Sequence, residues 1–412
     1  MIPSIVFAAA LGVWLAAAAA YHIAAQLALR RLLSRRPDRP AGTLPSATFL
    51  RALVAGTPGQ EENLAALCGL GARVVAGVGR DDAASAAVAR RVRERAGPGS
   101  LALVTEDGPA GANRKISKLV AMLPQARGEI FILTDDDISA PPGYLEAVLA
   151  PFTEPAIGVV TCPYRSVGGR AAATRIDVLL TNAGFLPSLA LAERVEGVRF
   201  ALGATLAIRR EVLDAIGGLE PLLDVLADDW TIADRARRAG HRIVLAPVLL
   251  DHHVGAGGWR AVWLRHLRWA RTMRAVRPAG NAGTILTHGW APALGLAMIG
   301  AGAAAFSWLG AYALVRVASV AVNARRTGLA ARDLFLLPVA DAIAMGLYVG
   351  GLFGNSVQWG GSRLRVRNDG TVLPIGGASR TGAGSAAPAM SAATNAETPV
   401  LGDRIAGAPT CE

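Results

Sequence analysis

Cysteine and lysine are scarce in this chain of 412 residues, and each scarcity excludes something. Cys68, Cys162 and Cys411 have neither metal-ligand nor disulfide-framework spacing, so a thiolate metal site and a disulfide scaffold are set aside. That usage fits a reducing compartment. Lys115 and Lys118 are the only lysines, so the formal charge of +11 is carried almost wholly by arginine. Charged residues are only 18% against 52% hydrophobic, an apolar lean that points to membrane segments. No internal repeat is found. A basic balance suits a membrane surface, an anionic cofactor or nucleic acid.

What is there begins with a long apolar run. Ile2 to Leu29 is nearly free of charge and long enough to span a bilayer. Arg30, Arg31, Arg35, Arg36 and Arg39 follow it, whereas a cleaved signal peptide carries its charge in front. The positive-inside rule places the amino terminus outside and residue 30 onward in the cytoplasm. Trp290 to Val322 is apolar except for Arg316, and fits one long tilted helix or a tight hairpin. The basic loop Asn323 to Arg332 favours the hairpin. Leu334 to Phe353 is the next span, and its Asp341 should face protein rather than lipid. Residues 176–192 are apolar but broken by Gly184 and Pro187, and read either as a core helix or as an element against the bilayer.

Between the spans, strands and helices alternate. Strands are expected at 47–54, 73–78, 101–104, 130–133, 158–163, 202–209 and 242–250, with helices at 60–70, 83–95, from Arg210 and at 231–239. Such alternation predicts an α/β, mostly parallel, doubly wound sheet. The organisation is a transmembrane anchor over 1–29, a linker over 37–43 and an α/β domain over 44–278. Membrane helices follow over 286–354, and a disordered Gly/Ala/Ser/Thr/Pro tail over 376–412.

Residues 128–147 carry the first chemical signal. The apolar run Ile130–Leu133 stops at Thr134, and Asp135, Asp136 and Asp137 follow at once. Ligands of open α/β sheets bind beyond the carboxyl ends of strands. Three acids there repel one another, and a divalent cation or a cation-bridged diphosphate would relieve the repulsion. In a strand-like stretch Asp135 and Asp137 point the same way and can share one ligand. Asp228 and Asp229 open a later helix, where acids also serve as caps. Gly111 to Lys118 clusters cations at a helix start and can face an anion. The helix Trp259 to Arg277 sets Arg265 and Arg268 on one face with Trp269 beside them, suited to a diphosphate or to anionic lipid.

Taken in order, these motifs resemble the processive-type inverting glycosyltransferases with their spaced "D, D, D, (Q/R)xxRW" signature. Within that group the chain is most similar to the ceramide glucosyltransferase-like family, which includes the bacterial hopanoid-associated glycosyltransferases. The residues carrying the resemblance are 111–115 (Gly-Ala-Asn-Arg-Lys), 135–138 (Asp-Asp-Asp-Ile), 185–188 (Phe-Leu-Pro-Ser), 203–211, 226–229 (Leu-Ala-Asp-Asp) and 265–272. The resemblance implies a GT-A fold and a UDP-sugar donor. It makes Asp81 the first nucleotide-contacting aspartate, although the family usually reads Asp-Pro where this chain reads Arg80-Asp81-Asp82. Asp135 and Asp137 become the pair that holds Mg2+ or Mn2+ on the donor diphosphate, and Asp229 the general base, with Asp228 its acidic neighbour. Arg114, Lys115, Arg265, Arg268 and Trp269 become donor-binding residues.

The implied activity is transfer of glucose or N-acetylglucosamine from a UDP-sugar to a lipid hydroxyl by an integral protein of the bacterial inner membrane, with its catalytic domain cytoplasmic. Ceramide is the first acceptor, and a hopanoid polyol the alternative. A processive polysaccharide synthase would need a larger membrane bundle. A non-catalytic basic membrane protein is the other rival. Nucleic acid is not an expected partner, because the acids at 135–137 and 228–229 make a poor polyanion site.

Overall fold

A computed structural model describes residues 2–375, apart from 38–41, 98, 109, 256, 301–302 and 368. The expected tail over 376–412, and part of the expected linker, lie outside the described residues. Helix α1 spans Ile2–Leu32, three residues beyond the expected end. Then come β1 (Ala47–Ala52), α2 (Gln60–Cys68), β2 (Arg73–Gly79), α3 (Ala83–Ala96), β3 (Leu101–Glu106), α4 (Arg114–Met122) and β4 (Ile130–Thr134). The chain continues through β5 (Ile138–Ser139), α5 (Tyr144–Leu149), β6 (Ile157–Thr161) and β7 (Tyr164–Val167). A nearly continuous helical rod follows: α6 (Ala172–Leu179), a π-helical stretch Leu180–Phe185, and α7 (Leu186–Glu196).

The domain closes with β8 (Thr205–Arg209), α8 (Arg210–Ala215), α9 (Asp228–Arg238), β9 (Arg242–Leu245), β10 (Leu250–His253) and α10 (Trp259–Val276). Helix α9 starts at Asp228 rather than Thr231, because Asp228 and Asp229 occupy its first turn, where carboxylates complement the helix dipole. The strand expected over 242–250 divides at Ala246–Leu249, and its second half joins another sheet.

Seven strands form the main sheet in the order β3-β2-β1-β4-β8-β6-β9. All neighbours run parallel except β8, which is antiparallel to both β4 and β6. The expectation of a mostly parallel α/β sheet therefore holds. Alternate side chains feed opposite faces, as the strand period demands. Phe49, Val74, Ile130 and Ile132 pack with Leu64, Leu67, Ala89 and Val148 of α2, α3 and α5. Leu50, Val75, Phe131 and Leu133 pack with Ile116, Met122, Val212 and Ile232 of α4, α8 and α9. The chain winds outward from β1 through β2 to β3, then returns to place β4 on the other side of β1. That reversal leaves a crevice beyond the carboxyl ends of β1 and β4.

The remaining helices are α11 (Pro278–Gly283), α12 (Trp290–Ile299), α13 (Ala303–Ala321), α14 (Ala324–Thr327) and α15 (Leu337–Leu352). Among the described residues, three stretches are long and apolar enough to cross a membrane: Ile5–Leu32, Ala172–Glu196 and Ala331–Leu352. Of the two readings of 290–322, the paired helices hold, since α12 and α13 pack on each other. At ten residues α12 measures about 15 Å, roughly half a hydrocarbon core. Segment 172–196 packs against α1 through Leu186, Leu189 and Ala190, and against α13 and α15 through Ile176, Leu179 and Ala183. Asp341 does face protein, paired with Arg316 at 2.9 Å.

A three-stranded antiparallel sheet, β11 (Ser356–Trp359), β12 (Ser362–Val366) and β13 (Val372–Pro374), was not anticipated. Its strands are short, and only Val357, Leu364, Val366 and Val372 are buried, against Leu226. The alternation is therefore weak, and docking onto the α/β domain supplies the missing apolar partner.

Candidate active site

The crevice is built by backbone geometry before any charge is added. Gly111 lies so close to the carbonyl of Leu223 that a Cβ there would collide with it. The close approach lets Asn113 N–H donate to Leu223 O at 2.8 Å. Asn113 then caps α4 by accepting from Ile116 N–H at 3.0 Å, and its amide donates to Val225 O at 2.9 Å and Asp228 at 3.3 Å. The Gly-Ala-Asn motif thus ties the start of α4 to the start of α9. Lys115, two residues on, reaches both acid groups, with Nζ 2.7 Å from Asp135 and 3.6 Å from Asp228.

The three consecutive acids part company. Asp136 is buried and turns back across the sheet reversal, accepting from Val54 N–H at 2.9 Å and Gln60 at 2.7 Å. Below it, Arg51 is wholly buried in the sheet and donates to Thr134 at 3.2 Å and Ile138 O at 2.9 Å. Asp136 is therefore an anchor for the turn. Asp135 faces Lys115, and Asp137 pairs with His252 Nε2 at 3.2 Å. Burial pulls the His252 pKa down, but the hydrogen bond and charge of Asp137 outweigh it and the net shift is upward.

Asp229 is oriented by backbone. Its Oδ2 accepts from Gly203 N–H at 2.9 Å and its Oδ1 from Trp230 N–H at 2.7 Å. Burial, then the neighbouring Asp228 charge, pushes its pKa up to about 6. A pKa raised toward the working pH leaves the carboxylate ionised while making it a stronger proton acceptor. Tyr164 lies in the field of Asp229, Asp135, Asp137 and Arg268, and burial first, then those acids, raises its pKa. Four elements therefore converge on one spot: the β4–β5 turn, α4, β7 and α9.

Arg268 completes the cluster from α10. Its guanidinium forms no hydrogen bond or ion pair among the described residues, sits 5.7 Å from the ring centroid of Trp359, and feels Asp135, Asp228 and Asp229. Arg265, expected on the same diphosphate, is instead held by the buried Asp177, which also takes His266 at 2.7 Å. Helical spacing put Arg265 and Arg268 on one face, yet a buried acid on α6 claims the first of them. Trp269 stacks edge-on against His266 at 4.8 Å and so belongs to that second cluster. Arg114 is exposed, with its stem beside Gly360 at the tip of the β11–β12 hairpin. Asp81 is also exposed, and its neighbour Asp82 is the residue that turns inward, accepting from Ala55 N–H at 3.0 Å and capping α3 through Ser85 N–H at 2.9 Å.

The donor set suits a hard divalent cation. Gly203 leaves open the space beside Asp135, where a Cβ would stand 2.9 Å from Oδ2. Among the described residues no cluster of three His, Cys, Asp or Glu side chains forms a ready-made cage. Two carboxylates plus substrate phosphates is the usual arrangement for Mg2+, and oxygen donors suit Mn2+ equally. Sequence reasoning missed three participants: His252, Tyr164 and Trp359. Asp251-His252-His253 offered a weak signal, whereas Tyr164 and Trp359 offered none, because only the packing brings them near the acids.

A family model, glycosyl transferase family 21, matches residues 11–372. The chain belongs to glycosyl transferase family 21. The family match covers most of α1, the α/β domain, the later helices and most of the small carboxy-terminal sheet. The family 21 chain has the GT-A-type arrangement expected of it. It is also similar to "Uncharacterized protein y4gI" of Sinorhizobium fredii (strain NBRC 101917 / NGR234), at 30% identity over 152 residues, 33% of this chain and 16% of that protein. It thus spans about a sixth of the length of that curated relative. Among solved structures it is similar to the mannosyltransferase PcManGT from Pyrobaculum calidifontis in complex with GDP-Man and Mn2+. The identity is 20% and the TM-score 0.48, covering 83% of this chain and 97% of that one. Glucosyl-3-phosphoglycerate synthase from Mycobacterium tuberculosis is also similar, at 16% identity and TM-score 0.33, covering 63% and 85%.

Proposed function

We propose that this family 21 protein is a membrane-bound inverting glycosyltransferase that moves a hexose, glucose or N-acetylglucosamine, from a UDP-sugar to a lipid hydroxyl. Ceramide is the proposed acceptor. One observation carries the reading: Asp135, Lys115, Asp228, Asp229, Tyr164 and Arg268 share one crevice beside a set of membrane-length helices.

The chemistry follows from their placement. Asp229 takes the proton from the acceptor hydroxyl as its oxygen attacks the anomeric carbon. The bond from that carbon to the diphosphate oxygen breaks, and the diphosphate leaves with the electron pair. Lys115 and Arg268 lie where they can take up the negative charge that develops. Asp135 and Asp137 would hold a divalent cation, which neutralises the leaving diphosphate. One base and one leaving-group clamp suffice for inversion, with no carboxylate nucleophile.

The test uses the full chain in detergent micelles with radiolabelled UDP-glucose or UDP-N-acetylglucosamine, offered ceramide and a hopanoid polyol in parallel. Labelled ceramide whose formation stops with EDTA is the expected result. If neither lipid becomes labelled while UDP still binds, the lipid-acceptor reading is overturned. A labelled water-soluble polymer would replace it with a polysaccharide synthase.

A further inference from the structure

Where α1 ends, the chain builds a small basic niche away from the crevice. Helices α1 and α7 run side by side in the same direction. Tyr21 Oη donates to Ser188 Oγ at 2.7 Å toward one end, and Arg35 meets Glu193 at 2.6 Å at the other. Leu29 and Leu32 pack with Leu186 and Leu189 along the seam. Beside the seam lies a cavity of about 300 Å3, lined by Ala28, Arg31, Arg35, Ala190, Glu193 and Arg194. Helical spacing explains the lining, because residues three and four apart share a face. Ala28 and Ala190 are buried and short, so they leave room that the long arginine side chains surround.

The charges around the niche are not equivalent. Glu193 has a mostly buried side chain and is covered by Arg35, so that pair is close to neutral. Arg31 and Arg194 are exposed and form no hydrogen bond or ion pair with any described residue. Both stand in the last turn of their helices, where cations complement the dipole. The dipole accounts for basic residues there, but not for a cavity that two of them line together. Two guanidinium forks with free N–H groups match the oxygens of a phosphate.

Depth names the occupant. Ile23 and Leu27 are about half-exposed apolar residues of α1, and Arg30 and Arg31 follow Leu27 within about one turn. The membrane-length stretches Ile5–Leu32 and Ala172–Glu196 both end at this level. Arg326 joins the same collar, donating to Ser34 Oγ at 2.8 Å. The niche therefore sits where apolar surface gives way to arginine, the level of lipid head groups on the positive side of the bilayer. Tails beside Leu27 would hold a phospholipid phosphate at that depth, whereas a soluble anion has no such tether. A zwitterionic head brings an ammonium that Arg31 and Arg194 repel.

We propose that this niche is a binding site for the head group of an anionic phospholipid, with Arg31 and Arg194 donating to its phosphate oxygens. The site is independent of the acceptor, since none of its residues belongs to the crevice.

The experiment is native mass spectrometry of the full chain in detergent, titrated with equimolar phosphatidylglycerol and phosphatidylcholine. Wild type should retain phosphatidylglycerol in preference to phosphatidylcholine. Arg31→Gln and Arg194→Gln should each raise its apparent Kd about fivefold, the usual worth of one basic residue at an anionic membrane surface, and the double variant about 25-fold. The pair Arg30→Gln and Arg36→Gln removes the same charge from exposed positions outside the niche, and should stay within about twofold of wild type. All four replaced side chains are exposed, and an unchanged unfolding temperature verifies the fold. Should one double variant unfold, the single variants decide the matter. Equal weakening by Arg30→Gln and Arg36→Gln would reduce the niche to diffuse surface charge and overturn the site. Equal retention of phosphatidylcholine would overturn the preference for an anionic lipid. Displacement of the lipid by free glycerol 3-phosphate would make this a site for soluble anions and overturn the lipid assignment.

Discussion

At the scale of single residues, the decisive contrast is between carboxylates that look alike in the sequence. Asp136 is spent on Val54 and Gln60, whereas Asp135 and Asp137 stay in the crevice with Lys115 and His252. In the proposed mechanism Asp229 is the base, so Asp229→Asn should keep UDP affinity and lower kcat by about 10²–10⁴-fold, the usual worth of a general base. Steady-state kinetics with parallel nucleotide binding checks this, and wild-type turnover in the variant would remove Asp229 from the mechanism. Its pKa of about 6 also sets a pH profile. A base must be deprotonated to act, so kcat should rise with pH and reach half its plateau near pH 6. A flat profile between pH 5 and 7 would contradict the assignment.

Elements explain what residue motifs alone misplace. Arg265 and Arg268 share a helix face, yet α6 supplies Asp177 to one and the β11–β12 hairpin supplies Trp359 to the other. Arg265→Ala would leave Asp177 buried with only His266, a loss expected to cost about 3 kcal/mol, the low end for a broken buried pair because Arg265 is partly exposed. Thermal unfolding in detergent measures it, and adding Asp177→Asn should recover part of the loss. Trp359→Leu removes a cation–π contact worth about 0.5–1 kcal/mol and loosens Arg268. The donor KM should rise a few-fold with kcat changed less. An unchanged KM would detach the hairpin from donor binding.

For the whole molecule, the arrangement places a charged crevice beside an apolar helical assembly. Phe7, Val13, Met298, Phe306 and Phe335 are all more than half exposed, a surface suited to lipid rather than water. The chain should remain in the membrane pellet after an alkaline carbonate wash and leave it only in detergent. Release by carbonate would refute the integral reading. The positive-inside asymmetry predicts that a cysteine placed just before the Ile5–Leu32 stretch (Pro3→Cys) is labelled from outside intact cells by a membrane-impermeant maleimide, whereas one at position 107 (Asp107→Cys) is not.

Sequence by itself determined the alternation of strand and helix and the long apolar helices at 5–32 and 331–352, because period-two burial and long apolar runs are local signals. The order of motifs along the chain was equally legible. Only the tertiary structure decided which member of each cluster reaches the crevice. Asp82 rather than Asp81 turns inward, Arg265 rather than Arg268 is held by Asp177, and Tyr164 and Trp359 arrive from distant strands. Those outcomes depend on which buried partner claims a charge first, and that competition runs between elements as far apart in the chain as α6 and α10.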